Sequence, residues 1–192
     1  MNQFSLQREF LRKILHLAVI IFPILLLKFG KSICMPYFLI ITVLFLLFDV
    51  LRIKNDSIKV FYDKYFNIVT KKYEADKLTS ASYVFLSLLI VVFLFDETSA
   101  SAALMIMVLS DPVASLAGRI FGSFKLVGDK TLEGSIAFFI ISVIILLLFN
   151  FEAFEILLVS IGATLIELFS KKIKIDDNLL IPLVSASLLF FL

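Results

Sequence analysis

The sequence predicts an all-α integral membrane protein, with residues 1–192 forming one transmembrane domain. Three observations predict it. Hydrophobic residues make up 61% of the 192 positions and mean hydropathy is +1.06, whereas soluble domains run at about 45–50% apolar. The apolar residues gather in seven blocks near the length of about 20 residues that a helical span needs. Lysine and arginine are distributed unevenly between the gaps that separate those blocks.

In order, the blocks cover about 13–29, 33–51, 80–95, 98–118, 134–150, 153–170 and 178–192. The third and the last are short. The first follows Arg12-Lys13 and carries His16 and Pro23, with no small-x-small cleavage site, so it reads as a retained span. Sixteen cations fall at the N-terminus and in the second, fourth and sixth gaps. Two, Lys28 and Lys31, fall in the first, and none in the third or fifth. Positive charge stays on the cytoplasmic side. The expected topology therefore has the N-terminus inside, the C-terminus outside, and the protein in the cell's inner membrane. The one long gap, about 52–79, places Ile58, Phe61, Tyr62, Tyr65, Ile68 and Val69 on one helical face, with Lys59, Asp63, Lys64 and Lys71 on others. An amphipathic helix on the inner leaflet is expected there.

Several chemistries are excluded. The single cysteine, Cys34, rules out an internal disulfide and a multi-cysteine metal site, and one histidine makes a histidine-based metal site untenable. No Walker loop, kinase glycine-rich loop, serine-hydrolase elbow or HExxH motif is present. No nucleic-acid partner is expected.

The polar residues that remain sit where burial is costly. Ser110-Asp111-Pro112 interrupts the fourth block, and an ionisable residue inside a span is a functional-site hypothesis by default. Asp111, Ser115 and Gly118 share a helical face, so a carboxylate, a hydroxyl and bare backbone line one wall. Either this is a ligand or metal site, or Asp111 is a structural partner of Arg119 or a lysine. The following loop brings Lys125 and Lys130, and Thr131 is placed to cap the fifth span. Free amides at that helix start favour a phosphate, Lys130 adds a cation, and Glu133 is positioned either to hold a divalent cation or to complement the helix dipole. Carboxylate and phosphate oxygens are the ligands that Mg²⁺ prefers. Arg12 and His16 share a face of the first span, as charge anchor and structural histidine or as site members. Glu167 lies four residues before Lys171, with an ion pair as the plain reading. Asp177-Asn178 opens the last span, as helix cap or as oxygen ligands for Mg²⁺ or a ribose.

Five blocks in order resemble the CTP-dependent lipid-alcohol kinases, the family of dolichol kinase, phytol kinase and the CTP-dependent diacylglycerol kinase. Arg12-Lys13-Ile14-Leu15-His16 resembles that family's RKxxH block, and Leu78-Thr79-Ser80-Ala81-Ser82-Tyr83 its segment opening the third span. Asp111 to Gly122 resembles DxxASxxGRxFG, Lys130 to Ser135 matches KTxEGS, and Glu167 with Asp177-Asn178 to Pro182 resembles its E…DN pattern. The likeness runs through most of the chain, which looks like the catalytic core without the long N-terminal extension of the eukaryotic dolichol kinases. It implies phosphoryl transfer from CTP to the hydroxyl of a membrane lipid alcohol (a polyprenol, phytol or diacylglycerol), and it points to Arg12, Lys13, Asp111 and Gly118. On that reading Asp111, Glu133 and Asp177 hold Mg²⁺ on the CTP phosphates. Arg12, Lys13, Arg119 and Lys130 neutralise phosphate charge. Ser115, Gly118, Thr131 and Asn178 contact the nucleotide, and Asp111 or His16 takes the alcohol's proton. The Asp111 block followed by KTxEG is also similar to part of the phosphatidate cytidylyltransferases, but their fuller C-terminal signature is absent.

Overall fold

The computed structural model describes residues 3–66, 77–173 and 175–192. Ten α-helices carry those residues: α1 Gln3–Ala18, α2 Ile21–Phe29, α3 Lys31–Lys54, α4 Asp56–Phe66, α5 Ser80–Leu94, α6 Glu97–Met105, α7 Asp111–Ile120, α8 Leu132–Leu148, α9 Ala153–Ile173 and α10 Asp177–Phe191. A π-helical segment, Ile106–Ser110, joins α6 to α7 without a break. Among the described residues, four helical stretches are long and apolar enough to cross a membrane: Phe10–Phe29, Lys31–Lys54, Glu97–Ile120 and Ala153–Ser170. The apolar helices α5, α8 and α10 are shorter. Each predicted block coincides with one of these helices, apart from small shifts at the ends.

Burial separates a central helix from a rim. In the stretch Glu97–Ile120, 61% of the most apolar window is buried, against 11% for Phe10–Phe29. The difference follows from residue size. Ala100, Ala102 and Ala103 let neighbouring backbones come close, and with Leu104, Ile106, Met107 and Val108 they are fully enclosed. The rim helices turn Leu39, Val43, Leu47, Ile140, Leu148 and Leu157 outwards. Such an apolar exterior is what hydrocarbon, rather than water, tolerates.

Pro23 sets the first local break. Pro23 has no N–H for the Val19 carbonyl. The amide of Phe22 takes that carbonyl instead, at 3.0 Å, and this tight turn divides the predicted first span into α1 and α2. Gly30, at φ 80°, turns the chain into α3. There the Lys31 amide donates to Glu97 Oε1 at 2.6 Å, and Lys31 Nζ to the Phe93 carbonyl at 2.8 Å. This seam fixes the α2–α3 and α5–α6 turns to one end of the bundle.

The opposite end carries the polar residues. The all-α expectation needs one amendment here, because the loop after α7 folds as a small antiparallel hairpin, β1 Lys125–Val127 and β2 Lys130–Thr131. Its two-residue turn places Gly128 at φ 59°, which glycine adopts without strain. Thr131 caps α8 as expected, accepting from the Gly134 amide at 3.2 Å. For α10 the cap is Asp176, which accepts from the Asn178 amide at 3.0 Å, and not Asp177 or Asn178. The expected amphipathic helix is present as α4, but its apolar face divides. Tyr62 is buried against Arg52 and Phe48, while Phe61 and Tyr65 face away from the bundle. Ile68, Val69 and Lys71 of that face lie outside the described residues, as does the side chain of Lys171.

Candidate functional site

A single cavity of about 1150 Å³ collects almost all the residues singled out in the sequence. Helix α1 contributes Arg12, Lys13 and His16. Helix α7 contributes Asp111, Ser115, Gly118 and Arg119. The hairpin contributes Lys130 and Thr131, and α10 contributes Asp177 and Asn178. These segments are far apart in sequence, and only the packing of α1 and α10 around the central helix unites them.

At the floor, Lys13 Nζ donates to Asp111 Oδ2 at 2.6 Å. Asp111 therefore pairs with a lysine from α1. His16 Nε2 lies 3.3 Å from the carbonyl of Met107, inside the π-helical segment. On the opposite wall Lys130 Nζ pairs with Glu167 Oε1 and stands 3.8 Å from Asp177 Oδ2. Burial alone would lower the Lys130 pKa, but Glu167, Asp177 and Asp111 outweigh it and raise the pKa above its ordinary value, so the ammonium stays charged. Glu167 is thus the buried partner of a hairpin lysine 37 positions away.

Glu133 and Gly118 also have structural roles. Glu133 does not line the cavity. Its carboxylate accepts from the amides of Ser123 at 2.8 Å and Phe124 at 3.2 Å, closing the hairpin loop onto the start of α8. The loop amides thus engage the carboxylate that the sequence offered as a ligand for a divalent cation. Gly118 lines the cavity, and its lack of a side chain also has a packing cause. A Cβ there would stand 2.8 Å from Thr131 Oγ1 and 3.6 Å from the Gly134 Cα, and one at Gly134 would stand 2.9 Å from the Ala114 carbonyl. The two glycines let α7 and α8 meet closely beside the cavity.

Among the described residues no group of three or more His, Cys, Asp or Glu is arranged to hold an ion alone. Mg²⁺ at a nucleotide does not require such a cage, because it takes one or two carboxylates and completes its shell with phosphates and water. Asp111, Asp177 and Glu167 supply carboxylates of that kind to one cavity. Glu167 Oε2 is buried with no hydrogen-bond partner, an acceptor whose burial is costly until something donates to it or binds it. The donor set fits Mg²⁺ held by Asp111 with Asp177 or Glu167.

The cavity also has features the sequence did not announce. Its polar end runs into a wall of Phe22, Leu44, Phe45, Phe48, Val84 and Phe85. Asp49 and Thr79, also on the lining, belong to a second ionic cluster. Asp49 and Arg52 bond at 3.2 Å, and Asp49 Oδ2 accepts from the Thr79 amide at 2.7 Å, Thr79 Oγ1 at 2.8 Å and Ser82 Oγ at 2.6 Å. The signal available for it was an acid and a base three apart near the end of an apolar block, the spacing of neighbours on a helix.

Over 181 residues the chain is 33% identical to an uncharacterized protein of Rickettsia prowazekii, an alignment covering 90% of this chain and 88% of that one. It is 32% identical over 184 residues to an uncharacterized protein of Methanocaldococcus jannaschii, covering 93% and 91%. The chain belongs to the family of these two proteins. No protein-family model matches it, and no solved structure does. The alignments cover nine-tenths or more of the chain.

Proposed function

We propose that this protein is a kinase that transfers a phosphoryl group from CTP to the hydroxyl of a membrane lipid alcohol, at the cytoplasmic end of a seven-span bundle in the inner membrane. One observation carries the reading. Four cations (Arg12, Lys13, Arg119, Lys130) and five carboxylates (Asp49, Asp111, Asp129, Glu167, Asp177) line one cavity of about 1150 Å³ whose polar part is continuous with an apolar, phenylalanine-rich wall. Small-ligand pockets run to about 1,000 Å³, so this volume suits a nucleotide and the head of a lipid together. The five sequence blocks shared with the CTP-dependent lipid-alcohol kinases support the same assignment, and the bias of sixteen cations against two supports the sidedness.

Phosphoryl transfer passes through a loose transition state, so catalysis is mostly positioning and charge neutralisation. Arg12, Lys13, Arg119 and Lys130 bind the triphosphate, and Asn178 and Ser115 orient the nucleotide. Asp111, with Asp177 or Glu167, is the set that would hold Mg²⁺, which neutralises charge on the phosphates when bound. Lys13 then exchanges its contact with Asp111 for one with phosphate. The alcohol's tail lies along Phe22, Phe45 and Phe85, its oxygen attacks the γ-phosphorus, CDP leaves, and the carboxylate cluster takes the hydroxyl proton.

The deciding experiment incubates purified protein with labelled CTP, Mg²⁺ and a panel of polyprenols, phytol and diacylglycerol, followed by mass spectrometry. CDP and a phosphorylated alcohol are expected. Pyrophosphate and a CDP-lipid would instead make this a cytidylyltransferase. Sidedness is tested with single cysteines in a Cys34→Ala background. Thr98→Cys and Glu152→Cys should label from outside intact cells, and Ser123→Cys should not. Outside labelling of Ser123→Cys would overturn the cytoplasmic site.

A further inference from the structure

The π-helical segment beside Asp111 has an unmet need that a residue of another helix answers. In a π repeat each carbonyl accepts from the amide five positions on. Continued one step beyond the bonds that close Ile106–Ser110, that pattern pairs the Met107 carbonyl with the amide of residue 112. That residue is Pro112, which has no N–H. Met107 is fully enclosed, so water does not replace the missing donor. An unsatisfied carbonyl in such surroundings is costly. The ring nitrogen Nε2 of His16, 91 positions away on α1, lies 3.3 Å from that oxygen.

We propose that His16 is a positioning residue for Asp111: it donates Nε2–H to the Met107 carbonyl, supplies the hydrogen bond that Pro112 cannot, and so fixes the helical turn from which Asp111 projects. A carbonyl oxygen only accepts, so Nε2 carries the proton and is not a proton acceptor in the reaction. Lys13 lies three positions earlier on α1 and holds the Asp111 carboxylate at 2.6 Å. Helix α1 thus grips the turn at two points, one on its backbone and one on the side chain it presents. Ser110 Oγ, 3.1 Å from Ser142 Oγ on α8, braces the same turn from the other side. The inference uses the proposed activity for one readout only and stands on geometry otherwise.

The test compares His16→Ala, His16→Gln, Pro112→Ala and the double variant His16→Ala/Pro112→Ala, as full-length protein in nanodiscs. Thermal unfolding needs no substrate. Turnover of CTP and its pH profile form the second readout. His16→Ala should lower the unfolding midpoint and cut turnover by about tenfold, the scale of one lost hydrogen bond. Glutamine carries an amide N–H near the position of Nε2. His16→Gln should therefore keep most of the turnover and the wild-type pH profile across about pH 5–8, where a histidine base would titrate. Pro112→Ala restores an N–H of its own, so in that background His16→Ala should cost far less, in midpoint and in turnover. If His16→Ala alone does not accumulate, Pro112→Ala should restore its accumulation. Equal cost of His16→Ala in both backgrounds, absence of that rescue, or a His16→Gln protein that unfolds normally but is as inactive as His16→Ala would overturn the proposal. Wild-type protein without CTP turnover would refute the proposed kinase activity alone, because the coupling between His16 and Pro112 is still read by unfolding.

Discussion

Asp49 and Asp111 are both carboxylates held by a cation inside an apolar bundle, and both line the same cavity, yet they are satisfied to different degrees. Asp49 accepts one bond on Oδ1 and three on Oδ2, and its side chain and that of Arg52 are 3% and 0% exposed. Arg52 also donates to the Lys77 carbonyl at 2.6 Å and lies over the Tyr62 ring. Asp111 has an ion pair with Lys13, and the two side chains are 15% and 16% exposed. A saturated cluster has nothing left to offer a ligand. It ties α3 to the start of α5 and to α4. The Asp111 cluster keeps acceptor capacity, an open side and a lysine with other places to go. A buried acid–base pair is thus a saturated clamp in one place and, on the proposed reading, a ligand site in the other, and the number of donors around the carboxylate separates the two.

The largest effect should come from breaking the clamp. Asp49→Asn removes the carboxylate that pairs with the buried Arg52 guanidinium, and breaking one partner of a buried pair typically costs about 3–5 kcal/mol. The loss should appear as a lower unfolding midpoint and less folded protein, with turnover per folded molecule near wild type. A stable Asp49→Asn protein with lost turnover would move Asp49 into the reaction and erase the comparison.

Asp111→Asn should show the converse. Turnover per folded molecule should fall by at least about a hundredfold, or roughly 2.7 kcal/mol, and added Mn²⁺ should restore part of it. Folding should survive, because Lys13 can reach water and an amide is easier to bury than a carboxylate. If stability falls while surviving molecules stay active, Asp111 is a second clamp.

The smallest effect is the control at the far end. Asp96 caps α6, accepting from the amides of Thr98 at 3.0 Å and Ser99 at 2.9 Å. Burial pushes its pKa up, and the hydrogen bonds from Ser99 and Thr98 outweigh this and hold it below the ordinary 3.8. A depressed carboxylate contributes stability above its unfolded pKa and loses it as pH falls through the folded one. Asp96→Ala should cost about 1 kcal/mol of stability at neutral pH, with the difference from wild type vanishing in acid below 3.8. Turnover should be unchanged, and a change would connect the far end to the site.

These residues also mark what was legible in the sequence. Asp111 stood out because charge in an apolar block is rare and demands a reason, and Lys13 and Asp177 stood out in the family-like blocks at the starts of the first and last spans. The central helix was announced by its alanines and serines. The Glu167–Lys130 pair was hidden, because a contact across 37 positions is set by how α9 and the hairpin pack. The hairpin had a signal in Gly128-Asp129, a two-residue turn sequence, but strands of three and two residues are too short to show alternation. Glu133 misled by adjacency. It is three positions from Lys130, but one residue sits on a strand and the other in the first helical turn, and they reach different partners. The π-helical segment was invisible. Pro112 pointed to an orphaned carbonyl, but which helix would answer it depended on the fold.

The Lys31–Glu97 seam has a consequence for traffic across the membrane. Among the described residues, none of the Gly30–Lys31 or Phe95–Glu97 turns lines the cavity, and those turns are tied to one another. On the proposed reading the chamber is a vestibule: a lipid kinase takes in and releases its substrates through the polar end and the bilayer side, and the turns that the Lys31 amide and ammonium tie together are never asked to open.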